Sequence, residues 1–168
     1  MTSMSESTAT TVVEGLKAVG VRLIVHLPDS WLADVGEVAA SDPELRYVPV
    51  ANESDGTAIC GGAWLGGLKA AMVMENSGLL VSTYVLTRFH LTFGIPTLLV
   101  VSYRGDFGDG NWWGSSVGHA TEPVLGSLGI GYEIARSREG IKPAIARADK
   151  SGAASLAPTA VLLGVGCV

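Results

Sequence analysis

Charge is scarce in this chain. Asp, Glu, Lys and Arg make up only 16% of the 168 residues, and the net charge is −5. Lys and Arg are outnumbered 11 to 16, so no basic patch is available to neutralise phosphates, which speaks against a nucleic-acid binder. Cysteine is scarcer still. Cys60 and Cys167 stand far apart, and a disulfide framework would need more of them. Neither lies in a Cys-x-x-Cys or His-rich spacing, so no structural zinc site is expected. They read as buried free thiols of a reducing cytoplasm. No segment reaches the roughly 18 uninterrupted apolar residues of a membrane-spanning helix. The Ser/Thr-rich start lacks a basic region followed by an apolar one, so it is not a secretory signal. A P-loop is absent. No Gly-x-Gly-x-x-Gly follows the first expected strand, where the turn is Leu27-Pro28-Asp29-Ser30, and a nicotinamide dinucleotide site is not expected.

What the chain has is apolar residues, 48% of the total. That is enough to bury a sizeable core and to cover a partner chain as well. Residues 1–10 read as a flexible N-terminal tail and 11–168 as a single domain. Val12, Val13, Leu16 and Val19 have helical spacing, and Gly20 ends that helix. Strands are expected at 22–26, 47–50, 70–74, 97–102, 131–134 and 160–163. Helices are expected at 31–40, 52–67, 77–93, 117–128 and 138–148, with a small-residue linker at 151–155. The run 97–102 is continuously apolar, as parallel strands are when buried on both faces. Strands alternating with helices imply an α/β fold: a three-layer doubly wound sheet of about six mostly parallel strands with helices on both faces.

Chemistry concentrates at two junctions. Pro49-Val50-Ala51-Asn52-Glu53-Ser54-Asp55-Gly56 runs from a strand into a helix, and Glu53 falls at the turn. Asn76-Ser77-Gly78 forms a small-residue loop at the end of the next strand. Open α/β sheets bind ligands at such carboxyl-terminal edges. Each piece also has a plain structural reading. Glu53 suits the first turn of a helix, and Ser77 can cap the helix that follows. His26, His90 and His119 are scattered, with no nucleophile at triad-like positions. His26 and His119 can reach the carboxyl edge, whereas His90 is placed in helix packing or solvent. Adjacent Trp112 and Trp113 in a long Gly-rich loop are expected to line a pocket or an interface.

Taken in order, these pieces resemble the pyrimidine-binding domain of thiamine diphosphate-dependent decarboxylases. The likeness is greatest to the separate alpha subunit of sulfopyruvate decarboxylase and the amino-terminal half of phosphonopyruvate decarboxylase. Leu27-Pro28-Asp29-Ser30 is similar to the family's Val-Pro-Asp-Ser turn. Asn52-Glu53 followed by Ala58-x-x-x-Gly62-Ala63-x-Leu65-x-Gly67 resembles its glutamate and small-residue helix, and Asn76-Ser77-Gly78-Leu79 its Gln-Asn-Ser-Gly-Leu. Arg104-Gly105 also fits. The likeness runs from about Thr10 to the end of the chain.

The resemblance implies that Glu53 is catalytic and hydrogen-bonds the aminopyrimidine of thiamine diphosphate. That contact helps remove the cofactor's thiazolium C2 proton before a 2-oxo acid is attacked and loses CO2. It implies Asn76, Ser77 and Gly78 beside the pyrimidine, and Asp29, Ser30, His26, Arg104 and His119 toward the substrate. It implies no metal ligand in this chain, with Mg2+ and the diphosphate held by a beta subunit that completes the site. Gly108-Asp109-Gly110-Asn111 resembles the start of the family's metal motif. That motif needs a second, Asn-bearing half, and no Asn follows Asn111, so the tetrapeptide reads as a turn. The implied substrate is 3-sulfopyruvate or 3-phosphonopyruvate. The tryptophans leave open a larger or aryl 2-oxo acid, decarboxylated or carboligated, and a non-catalytic subunit that kept the fold is the other alternative.

Overall fold

The computed structural model describes residues 7–167; residues 1–6 and 168 lie outside the described part. Most of the stretch read as a tail is therefore outside it, but residues 8–10 are helical. Helix α1, Thr8–Ala18, starts there because the Ser7 hydroxyl accepts the Thr10 amide at 3.1 Å and caps the first turn.

The chain then alternates strictly. It runs through β1 (Leu23–His26), α2 (Val35–Ala40), β2 (Arg46–Pro49), α3 (Glu53–Leu65), β3 (Ala70–Glu75), α4 (Asn76–Val81) and α5 (Thr83–Val85). A π-helical segment at Leu86–Leu91 leads to β4 (Leu98–Ser102). It continues through α6 (Ser115–Leu128), β5 (Gly131–Ala135), α7 (Arg138–Ser155) and β6 (Thr159–Leu163). The six strands form one sheet in the order β2-β1-β3-β4-β6-β5, every pair parallel. The central strands β1, β4 and β6 are buried at every position, which is why they read as unbroken apolar runs. Pro49 is tolerated because β2 is an edge strand.

Each face of the sheet carries its own core. Val12, Leu16, Val35, Ile141 and Ile145 bring α1, α2 and α7 onto one face. Cys60, Leu79, Leu86 and Leu125 bring α3, α4, the π segment and α6 onto the other. Burying each such side chain contributes about 1.5–3 kcal/mol, so the three-layer arrangement follows from the apolar pattern. Glycine sets the closeness of α3: a methyl group on Gly56 would stand 2.7 Å from Met72 Sδ.

Three expected elements differ in extent. The helix expected from Trp31 begins only at Val35, because Asp29 Oδ1 accepts the amides of Trp31 and Leu32 and holds the preceding residues in a turn. The helix expected over 77–93 is broken into α4, α5 and the π segment. Thr83, Thr87 and Thr92 hydroxyls bond back to the carbonyls of Leu80, Thr83 and Thr87 there, and His90 is fastened sideways to Thr57 O (3.0 Å) and Thr97 Oγ1 (2.9 Å). Lastly, 151–155 is the end of α7 and not a linker. Gly152 is buried 3.1 Å, measured from an added methyl, against Ala157 O and Thr159 Oγ1, so the small residues serve close packing.

Candidate active site

The carboxyl ends of β1 to β4 converge on one edge. There the backbone leaves β2 and enters α3 through Asn52, whose extended conformation (φ −149°, ψ 134°) lets its Oδ1 accept the Ser54 amide at 2.8 Å. Glu53 is thus the first helical residue, and it is half-buried. Ser54 Oγ donates to Val81 O at 2.9 Å and ties the start of α3 to the end of α4. This tie brings Glu53 over Gly78. A methyl group on Gly78 would lie 2.5 Å from Glu53 Oε1 and 2.6 Å from its Cδ, so only glycine allows the carboxylate to lie there. Among the described residues no hydrogen bond or ion pair engages that carboxylate, which leaves both oxygens for a ligand.

Asn76 and Ser77 behave differently from the expectation. Asn76 is fully buried, and its amide is spent inside the protein. Nδ2 donates to Arg104 O and to Thr121 Oγ1, both at 2.8 Å, while Oδ1 accepts the Arg104 amide at 3.3 Å. It latches the end of β3 to the exit of β4. Ser77 Oγ donates to Glu75 Oε1 at 2.8 Å. Of the three residues expected beside a pyrimidine, Gly78 is the one packed directly against Glu53.

On the β1 side, Asp29 Oδ2 accepts Ser102 Oγ at 3.0 Å and stitches the β1 turn to the last residue of β4. Ser30 is exposed in that turn. His26 is buried at the end of β1 beside Asp29. Its Nδ1 shares a hydrogen bond with the Tyr47 hydroxyl (3.3 Å), and its Nε2 is sealed in without a partner.

Burial pushes the His26 pKa down to about 4, against the opposing pull of Asp29. In the unfolded chain the ring titrates near about 6.5. Between those values the unfolded state holds more protons, so stability is expected to fall as pH drops from about 6.5 toward 4. Melting temperatures across pH 7 to 4 check this, and His26→Gln should flatten the slope. His90, also lowered chiefly by burial, will leave a residual slope.

Beyond β4 the chain turns sharply. Gly105 has φ of 75°, and a methyl on it would stand 2.7 Å from the Gly114 carbonyl carbon; one on Gly118 would stand 2.5 Å from Gly105 O. The loop base is therefore a contact of three glycine backbones. Asp109 closes the loop, its two oxygens accepting the amides of Gly105 (2.9 Å) and Asn111 (3.1 Å) and the Asn111 side chain (2.8 Å). The Gly105 amide above all holds its carboxyl below the usual carboxylate range. The Gly-Asp-Gly-Asn stretch is accordingly a turn. Among the described residues no group of three or more His, Cys, Asp or Glu gathers as a metal site.

Arg104, in the same turn, is only 3% exposed. Its guanidinium carbon lies 4.3 Å from the Trp31 ring centre and 4.4 Å from that of Trp113. Trp113 packs on a cation yet is itself 43% exposed, and Trp112 (87%) and Phe107 (98%) are more so. His119 is exposed on α6, and no hydrogen bond or ion pair among the described residues joins it to this cluster. Sequence reasoning missed Trp31, Ser102 and Thr121. Ser102 was findable, as the polar residue that ends an otherwise apolar central strand. Trp31 and Thr121 carried no such sign.

A solved 2-oxoglutarate:ferredoxin oxidoreductase from Magnetococcus marinus matches 95% of this chain and 29% of its own, with a TM-score of 0.75 and 21% identity. That enzyme thus shares the fold of this chain, a six-stranded parallel sheet with helices on both faces. No protein-family model matches the chain. The chain is 31% identical over 162 residues to the sulfopyruvate decarboxylase subunit alpha of Methanothermobacter thermautotrophicus, covering 96% of this chain and 98% of that one. It is also 35% identical over 101 residues to the phosphonopyruvate decarboxylase of Streptomyces viridochromogenes, 60% of this chain and 25% of the relative. The chain belongs to the family of sulfopyruvate decarboxylase alpha subunits.

Proposed function

We propose that this chain is the alpha subunit of a two-chain, thiamine diphosphate-dependent decarboxylase of 3-sulfopyruvate or 3-phosphonopyruvate. The observation that carries the reading is the Glu53 carboxylate lying over Gly78, unengaged by any described side chain, at the carboxyl edge of a parallel sheet. The residues fit an aminopyrimidine: the Glu53 carboxylate, packed on Gly78 and unengaged by other described side chains, would offer an acceptor to a ring nitrogen. When bound, the cofactor supplies an electron sink for the carbon that loses CO2.

The chain's own residues then have separate tasks. Glu53 holds a proton with the ring nitrogen and keeps the ring in its working tautomer. Gly78 sets the distance. Asn76, its side-chain amide engaged within the protein, fixes α4, and therefore Gly78, against the exit of β4. Ser30, exposed in the turn after β1, would face the substrate, while Asp29, engaged by Trp31, Leu32 and Ser102, would hold that turn in place with neutral His26 behind it. The family's naming as alpha subunits supports a partner chain, to which the reading assigns the diphosphate and Mg2+. Both thiols are free and buried, which suits a cytoplasmic protein, and no described helix is long and apolar enough to cross a membrane. Trp113 packs against Arg104 and does not open an apolar pocket, so an acidic substrate is favoured over an aryl one.

Reconstitution tests this. The chain is mixed with its partner chain, thiamine diphosphate, Mg2+ and 3-sulfopyruvate or 3-phosphonopyruvate, and CO2 release is followed. Turnover is expected only when both chains are present. Turnover by the single chain would overturn the two-chain reading, and a complex inert toward both acids would overturn the substrate.

A further inference from the structure

We infer that Trp31 and Trp113 clamp Arg104 as a seat for the sulfonate or phosphonate group of the substrate, and that these two tryptophans determine specificity for an acidic tail. The inference rests on the decarboxylase reading above and adds to it the part of the site that recognises the tail.

Arg104 is charged and 3% exposed, yet Nε and Nη1 are sealed in with no hydrogen-bond partner. The nearest carboxylate among the described residues, Asp109, stands 3.9 Å from Nε, beyond hydrogen-bonding length, and already accepts three other bonds. A guanidinium with a purely structural task would have its donors paired, because burying them unpaired is costly. Here the backbone is fixed, the one carboxylate within ion-pair distance among the described residues is Asp109, and two of the three guanidinium nitrogens have no hydrogen-bond partner. Asn76 holds both the N–H and the C=O of Arg104, so the residue cannot drift toward another partner.

The indoles decide how a ligand can reach it. Two indole rings stand 4.3 and 4.4 Å from the guanidinium carbon. With indoles stacked on the guanidinium, an oxyanion would bind it edge-on along the N–H bonds, which is the geometry that oxyanions prefer. Two oxyanions exist on such a substrate. The carboxylate must leave as neutral CO2, and a strong ionic bond to it would stabilise the ground state more than the transition state. The tail keeps its charge throughout, so its binding does not oppose the reaction. The seat is also next to the chemistry in the chain: Asn76, which latches Arg104, and Gly78, which carries Glu53, lie on one helix turn of α4.

The test is titration of the full chain with ethanesulfonate and, separately, propanoate, followed by tryptophan fluorescence. A saturable change with ethanesulfonate is expected, and none with propanoate over the same range. Arg104→Gln should abolish it, and Trp113→Leu should weaken affinity by about tenfold or more through loss of the stacked face. Trp113→Phe keeps an aromatic face and should bind within about threefold of the unaltered chain, which separates loss of the clamp from misfolding. A response that persists in Arg104→Gln, equal affinity for propanoate, or no saturable response would each overturn the seat. Glu53→Gln should still bind ethanesulfonate, so failure of the seat and failure of the decarboxylase reading give different results.

Discussion

Glu53→Gln is expected to lower kcat of the reconstituted two-chain complex by about 10²–10⁴-fold, the range over which a positioned proton-transfer group acts. The substitution removes the charge and the proton acceptor while keeping shape. Glu53 is half-buried at a helix start and makes no described side-chain bond, so its own contribution to folding is small. Melting temperature and co-elution with the partner should therefore be unchanged, within the roughly ±0.5 kcal/mol usual for exposed sites. Full turnover in this variant would remove Glu53 from the mechanism.

Gly78→Ala tests the same geometry from the opposite wall. In a helix, alanine is favoured over glycine by about 0.8–1 kcal/mol, so α4 by itself gains. The added methyl, however, would stand 2.5 Å from Glu53 Oε1 and 2.6 Å from Cδ, and the glutamate must rotate away. The methyl would also meet Glu53 Cγ, so the whole side chain must turn about χ1, but it has no hydrogen bond to break in doing so. The expected result is a pairing that a general structural defect does not produce: unchanged or raised melting temperature with kcat down by about 10²-fold, the scale of a displaced catalytic group. Unchanged kcat would show that the carboxylate does not work from its place above Gly78.

The strands were legible from the sequence because parallel strands buried on both faces read as apolar runs; the run expected at 97–102 is β4, Leu98–Ser102. Glu53 was legible by position, at a junction that any strand-to-helix pattern marks. The inward turn of Asn76 was not. An asparagine at a loop start looks the same in sequence whether its amide faces a ligand or, as here, the backbone of Arg104. The bonds from Ser102 to Asp29 and from Asn76 to Thr121 join distant segments, and nothing local encodes them. Trp31 read as helical because its apolar spacing was right, while Asp29 had already claimed its amide. The small residues at the end of α7 failed for a related reason: composition cannot separate a flexible stretch from one that is small in order to pack.

The glycine contact of Gly105, Gly114 and Gly118 has a consequence for association. With those backbones touching, and with Asp109 and Asn76 tying the same turn, the long loop after β4 is held by bonds within this chain. The conformational entropy of ordering it is lost when the chain folds. A partner chain or substrate that meets this rim then docks on a preorganised surface, and little further ordering is charged against its affinity.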